Sequence, residues 1–175
     1  MVREPRLVMG IDPGLTRCGI GVIAVSPGAR VRLVHVSVIG TPVSASIGDR
    51  LVDLERQLVA LLQAYPPQQV AVERVFSQHN TASVIDTAQA AGVATLVAAR
   101  QGIAVSLRTP TEAKAAVTGS GRADKAQVTA MVMRILAVTE TIRPADAADA
   151  LALAITEAWR GDAQRRLVAA ARGGR

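Results

Sequence analysis

Apolar residues along this chain first recur in short β-type runs and then at helical spacing. Arg6–Asp12 is a brief apolar segment closed by Asp12 and the turn pair Pro13-Gly14. Cys18–Val25 is apolar and β-branched until Ser26-Pro27-Gly28 breaks it, and Val31–Ile39 resumes with alternating character. These three runs predict an antiparallel meander. Over 46–65, Leu51, Leu54, Leu58, Leu61 and Leu62 fall on one helical face between Asp49, Arg50, Asp53, Glu55 and Arg56, and Pro66-Pro67 stops the pattern. A strand follows at 69–76, an Ala-rich helix at Thr81–Arg100, and a strand at 103–107 ending near Pro110. Helices at 111–118 and 123–138 flank the loop Gly119-Ser120-Gly121-Arg122, and a last helix runs from about 145 to 159 or beyond. A meander followed by strand-helix-strand crossovers predicts an α/β fold: a five-stranded mixed sheet, antiparallel meander plus parallel strands, flanked by α-helices.

Composition narrows the class. Half of the 175 residues are hydrophobic, almost all aliphatic, with one Trp, one Tyr and one Phe. That fits one domain over 1–175, with a core at about 6–160 and a basic tail at 161–175. A single cysteine, Cys18, excludes an intrachain disulfide, and no Cys/His group has zinc-site spacing. No apolar run reaches the roughly 18 residues of a membrane span, and Asp12 interrupts the N-terminal one before a signal segment forms, so the expected compartment is the cytoplasm. Lys plus Arg outnumber Asp plus Glu by 20 to 14, with Arg160, Arg165, Arg166, Arg172 and Arg175 near the C-terminus. The excess suits a polyanionic partner as well as a merely solvated tail.

Against that background the acidic residues stand out. Asp12 closes a strand beside Gly14, where it can be a turn former or can sit at the sheet's end with a backbone or phosphate approaching Gly14. Glu73 lies in a strand between apolar neighbours, where an unpaired charge is costly and Arg74 points to the other face; the alternative is an edge-strand Glu. Asp146 and Asp149 open the final helix. They read either as an N-cap with its N3 companion or as two carboxylates on one helix face. Oxygen ligands without cysteine favour Mg2+ or Mn2+ over zinc, an arrangement suited to phosphoryl chemistry.

Four motifs then occur in order: Gly10-Ile11-Asp12-Pro13-Gly14, Ala71-Val72-Glu73-Arg74-Val75-Phe76, the stretch 117–128 (VTGSGRADKAQV) and the stretch 144–154 (PADAADALALA). Together they resemble the bacterial RuvC family of Holliday junction resolvases, over about 7–159. The resemblance implies an RNase H-like fold and a homodimeric, metal-dependent endonuclease that nicks four-way junction DNA symmetrically during recombination and repair, leaving 5′-phosphate and 3′-hydroxyl ends. It implies Asp12, Glu73, Asp146 and Asp149 as catalytic and metal-binding residues for two Mg2+ ions, or Mn2+, with Asp12 bridging. Less firmly, it implies DNA contacts by Arg74, Phe76, Gln78, Asn80, Lys114, Arg122 and Lys125. Phe76 would stack on an unpaired base, although alternation also aligns it with Val70 and Val72 toward a core, and His79 reads as surface. The Thr81–Arg100 helix offers Val84, Ile85, Val93, Leu96 and Val97 on more than one face as a dimer surface. The implied partners are junction DNA, a second copy of the chain and the RuvA–RuvB branch-migration complex. Rival expectations are an RNase H-like nuclease acting on RNA or RNA–DNA hybrids and a non-catalytic nucleic-acid-binding module. A sugar kinase or actin-like ATPase, which shares the first motif, would need a second copy of the domain that this length does not hold.

Overall fold

The computed structural model describes residues 4–75, 81–140 and 142–173, with side chains from 84 onward in the second helix and up to 161 in the last. Its elements are β1 (Arg6–Asp12), β2 (Cys18–Val25), β3 (Val31–Ile39), α1 (Ile47–Ala64), β4 (Gln69–Glu73), α2 (Thr81–Arg100), β5 (Ala104–Arg108), α3 (Pro110–Thr118), α4 (Lys125–Leu136) and α5 (Ala145–Gly173). The strands form one sheet in the order β3-β2-β1-β4-β5. The meander β1-β2-β3 is antiparallel, and β4 and β5 add to β1 in parallel, as crossover helices require.

Strand alternation divides the core into two layers. Met9, Ile11, Val70 and Val72 face Leu54, Leu58 and Leu62 of α1 and Ala90, Ala94 and Val97 of α2. Val8, Ile23, Val25 and Ala71 face Leu151, Ala154, Ile155 and Ala158 of α5, with Val117 and Val132 from α3 and α4 in the same cluster. Leu151, Leu153 and Ile155 are completely buried. Burying each such side chain contributes about 2 kcal/mol, so α5 is held chiefly by its apolar surface.

How closely α5 can approach is set by glycine. Gly10 of β1 pairs with Gly21 of β2, and Asp12 pairs with Gly19, so the three glycines share the face that α5 covers. A Cβ on Gly10 would lie 1.9 Å from the Ala150 carbonyl oxygen, and one on Gly19 2.1 Å from that of Asp146. At Gly21 it would meet the Leu151 side chain and backbone at 2.8 Å. The helix backbone therefore rests directly on the strand backbones, and this contact lays the first turns of α5 over the end of β1. Gly14, expected to admit a backbone or phosphate, admits the backbone of its own turn: a Cβ there would meet the Arg17 carbonyl oxygen at 2.2 Å.

Two elements end earlier than expected, and one capping alternative fails. β4 ends at Glu73 rather than 76, because its partner β5 ends at Arg108, whose carbonyl takes the last bond of the ladder from the Arg74 amide at 2.7 Å. α4 is trimmed to Lys125–Leu136 by the Asp124 cap, whose side chain accepts from the Gln127 amide while Gln127 returns the bond. α5 begins at Ala145, with the Ala147 amide bonded to the Pro144 carbonyl, so Asp146 is inside the first turn and is not the N-cap. The cause is visible in its side chain, which is drawn sideways to Arg17 instead of back over the helix end.

Candidate active site

Three elements deliver the four acidic residues to one edge of the sheet. Asp12 ends β1, Glu73 ends the adjacent parallel strand β4, and α5, seated on the glycine face, brings Asp146 and Asp149 over them. Strand ends at the carboxyl side of parallel strands are where α/β sheets place ligands. Asp12, Glu73 and Asp149 line a cavity of about 240 Å³ together with Pro110, Ala113, Lys114, Lys125, Val128 and Ala152. Asp146 stands just beyond its wall, close enough for its charge to act on Asp12.

The grouping is electrostatically expensive. Burial, then the facing carboxylates of Glu73, Asp149 and Asp146, push the Asp12 carboxyl up to about 8, against a weaker pull from Lys125. Glu73 is pushed up to about 7 by burial and by Asp149, with Lys125 and Lys114 acting the other way. Lys125 is held above its usual value chiefly by Asp149, whose Oδ2 lies 3.4 Å from Nζ. A lysine opening a helix faces the positive end of the helix dipole. Its place at the start of α4 is therefore explained by Asp149 and not by helix stability. Lys114 reaches the cavity because α3 starts sharply at Pro110, fixed by a reciprocal pair between Thr109 and Glu112. Cys18 is buried beneath the cluster with its thiol raised to about 12, mainly by burial, so it stays protonated and unreactive.

Two residues that the sequence did not single out shape the cluster. Arg17, in the β1–β2 turn, donates from Nε to Asp146 Oδ2 at 2.7 Å. Arg108 is the register partner of Glu73 on β5, yet its Nε and Nη2 both reach Glu157 Oε2, at 3.0 and 2.7 Å. Glu157 of α5 is only 1 % exposed, and its other oxygen accepts from Gln69 at 3.2 Å. Arg108 is thus drawn toward α5 although its register partner is Glu73. An acid on a helix interior in phase with Leu153 and Ala150 was the available signal, and it was masked by the oily run around it.

Among the described residues no three acids, histidines or cysteines are drawn together tightly enough to cage an ion unaided. Asp146 and Asp149 are each turned to a cation of the chain itself. Of the expected DNA contacts, Lys114 and Lys125 line the cavity. Arg74 is exposed and borders a different, apolar groove beside α2. Arg122 is exposed in the loop before α4, outside the cavity lining. Phe76, Gln78, His79 and Asn80 lie outside the described residues. On α2, Val97 is core, whereas Ile85 and Leu96 are 57 % and 48 % exposed. One of the two apolar faces foreseen there is thus free.

A β3-β2-β1-β4-β5 sheet carrying acids at the ends of β1 and β4 and on the helix laid across them is the RNase H-like arrangement. Comparison with known proteins is more specific. The family described as Crossover junction endodeoxyribonuclease RuvC matches residues 8–157. The chain is 58% identical over 164 residues to the protein of that name from Salinispora arenicola, covering 94% of each. It is 55% identical to that from Frankia casuarinae, covering 95% of this chain and 97% of the other. Among solved structures, T. thermophilus RuvC in complex with a Holliday junction substrate superposes with a TM-score of 0.84 at 34% identity, over 89% of this chain and 94% of that one. The chain belongs to the RuvC family of crossover junction endodeoxyribonucleases.

Proposed function

We propose that the acidic cleft hydrolyses phosphodiester bonds of four-way junction DNA, with Asp12, Glu73, Asp146 and Asp149 as the catalytic, metal-holding set. The observation that carries this reading is the raised pair Asp12 and Glu73, at about 8 and about 7, facing Asp149 across a cavity flanked by two lysines. Carboxylates that hold their protons because they are buried and face one another suit a divalent cation, whose charge offsets both costs. The donors are all hard oxygens, which fits Mg2+ or Mn2+, and the four acids would hold two such ions. Such ions, when bound, activate a water and offset the charge of the phosphoryl oxygens.

The chain's own residues do the rest. Asp12, at the end of a central strand, is the fixed point of the set, because both neighbouring strands hold β1 in register. Glu73 and Asp149 close on it from β4 and α5. Asp149 must exchange Lys125 for an ion, and that pair is exposed enough for the exchange to be cheap, while Asp146 would keep Oδ2 on Arg17 and offer its other oxygen. Released from Asp149, Lys125 joins Lys114 on the cavity wall, where both can contact non-bridging phosphate oxygens. Arg74 and Arg122, and Phe76, Gln78 and Asn80 near the end of β4, are the remaining proposed DNA contacts.

The proposed assembly is an isologous homodimer, because a junction with approximate two-fold symmetry must be cut on two strands. The surface is the groove of about 630 Å³ formed by α2 and β5, including Arg74, Val75, Gly92, Leu96 and Leu107. It is lined mostly by small and apolar residues, and Glu73 borders it as well as the acidic cavity. The two would communicate through the end of β4. We place the enzyme in the cytoplasm as a single domain acting with the RuvA–RuvB branch-migration complex; among the described residues no helix is long and apolar enough to cross a membrane.

The test is incubation with a synthetic four-way junction, a linear duplex of the same sequence and an RNA–DNA hybrid, with Mg2+ or EDTA. Paired symmetric nicks on the junction alone, lost in EDTA and in Asp12→Asn and Asp146→Asn while binding survives, are expected. Wild-type cleavage by Asp146→Asn would remove that residue from the set, and preferential cutting of the hybrid would replace the substrate.

A further inference from the structure

Arg17 has a geometry that stability does not explain. Its side chain is 55% exposed, and an exposed ion pair such as the one it makes with Asp146 adds little to folding. Yet the turn that carries it is firmly built. The buried Arg50 guanidinium donates to Thr41 Oγ1 and to Thr16 Oγ1, each at 2.9 Å, and Thr41 Oγ1 donates to the Leu15 carbonyl at 2.6 Å. Gly40 packs against the Thr16 carbonyl, where a Cβ would come within 2.3 Å. The residue beside Thr16 is thus presented from a fixed backbone. Its guanidinium is oriented as well: Nε is committed to Asp146, while Nη1 and Nη2 have no partner among the described residues.

Charge around the acidic cluster is otherwise one-sided. Lys114 and Lys125 line the cavity, whereas Arg17, paired with Asp146, lies outside its lining. A nucleic-acid strand lying over the acids would thus have a cation outside the cavity, Arg17, as well as the two lysines that line it. We propose that Arg17 is a phosphate-binding residue for the strand being cut, with Asp146 holding the guanidinium by Nε so that its open Nη fork takes the oxygens of a phosphodiester next to the reacting one. Arginine suits the position because its planar fork matches two phosphate oxygens, which a lysine meets only as a point charge. The inference rests on the reading of the cleft as a junction nuclease and adds a subsite to it.

Fluorescence anisotropy of a labelled four-way junction in EDTA, from 50 to about 300 mM KCl, tests it with Arg17→Gln, Arg17→Lys and the exposed Arg32→Gln as a control. Loss of one phosphate contact lowers the slope of log affinity against log salt by about 0.9. Arg17→Gln should show that change with a several-fold weaker affinity, Arg17→Lys should keep the slope but bind more weakly, and Arg32→Gln should match wild type. Mn2+ affinity by calorimetry should be unaltered in Arg17→Gln. An unchanged salt slope overturns the proposal, and if Mn2+ affinity then falls, Arg17 serves only to hold Asp146. Failure of the underlying reading looks different: the wild type itself would bind junction no better than linear duplex.

Discussion

Replacing Gly10 with alanine adds one methyl group at the place where α5 touches β1. The new Cβ would sit 1.9 Å from the Ala150 carbonyl oxygen and 2.7 Å from the Ala154 amide nitrogen, whereas ordinary contact begins near 3.4 Å. Neither obstacle is a flexible side chain, so the helix itself must lift by roughly 1–1.5 Å or β1 must sink. Overpacking of this kind costs about 1–3 kcal/mol, which for a chain of this size lowers Tm by about 3–10 °C and leaves the fold intact. The larger effect is on the site. Asp146 and Asp149 move with α5 while Asp12, two residues along from Gly10, stays with β1. A misplacement of about 1 Å between groups that must act together costs on the order of 10²-fold in rate. Junction cleavage under single-turnover conditions at 25 °C, well below the lowered Tm, should therefore fall about a hundredfold with a near-native circular dichroism spectrum. Cleavage within threefold of wild type would refute the argument that glycine contacts set the spacing of the carboxylates.

In EDTA, the free energy of unfolding should decrease as pH rises from about 5 to 8.5. Folded Asp12 and Glu73 keep their protons to about 8 and about 7, while the unfolded chain releases them near 3.8 and 4.5, so the folded state binds more protons throughout that window. Urea titrations should show the slope flattened in Asp12→Asn; a wild-type profile that rises across the window contradicts the clustering. Glu157→Gln leaves Arg108 largely buried without its counter-charge and should destabilise by about 3 kcal/mol, whereas Glu157→Leu with Arg108→Met should lose markedly less, as a double-mutant cycle in urea would reveal. Leu96→Glu combined with Leu107→Glu, at positions 48 % and 50 % exposed, should convert the proposed dimer to monomer in sedimentation velocity without lowering Tm by more than a few degrees. A persistent dimer would place the interface elsewhere.

Much of the fold could be read in advance because its signals are periodic and local. The meander boundaries follow from Pro13-Gly14 and Ser26-Pro27-Gly28, and Thr81–Arg100 from an uninterrupted helical composition. Asp12 and Glu73 were conspicuous because strand alternation gives a charge only two places to go. What stayed hidden depends on pairs distant in sequence. Arg17 and Asp146 are 129 positions apart, and Arg108 and Glu157 49 apart, and no periodicity links either pair. Gly10, Gly19 and Gly21 look like ordinary strand breakers until the register shows them side by side beneath one helix. The N-cap alternative for Asp146 fails for the same reason: a side chain that local rules assign to its own helix is claimed by a loop from the other end of the chain.

The diversion of Arg108 to Glu157 also decides the order in which the cleft can be filled. With that guanidinium turned to Glu157, the four acids are offset only by Arg17, Lys114 and Lys125 among the described residues, on a chain of net charge +6. A DNA backbone is drawn in by the surrounding basic residues over roughly a Debye length, about 10 Å at 0.1 M salt, and then repelled at the last step by the carboxylates. On the proposed reading cation loading would remove that final repulsion, and the interior ion pair would act as an interlock: a strand could be held at the rim at any time, but would settle onto the acids only after the charge that makes cutting possible had arrived.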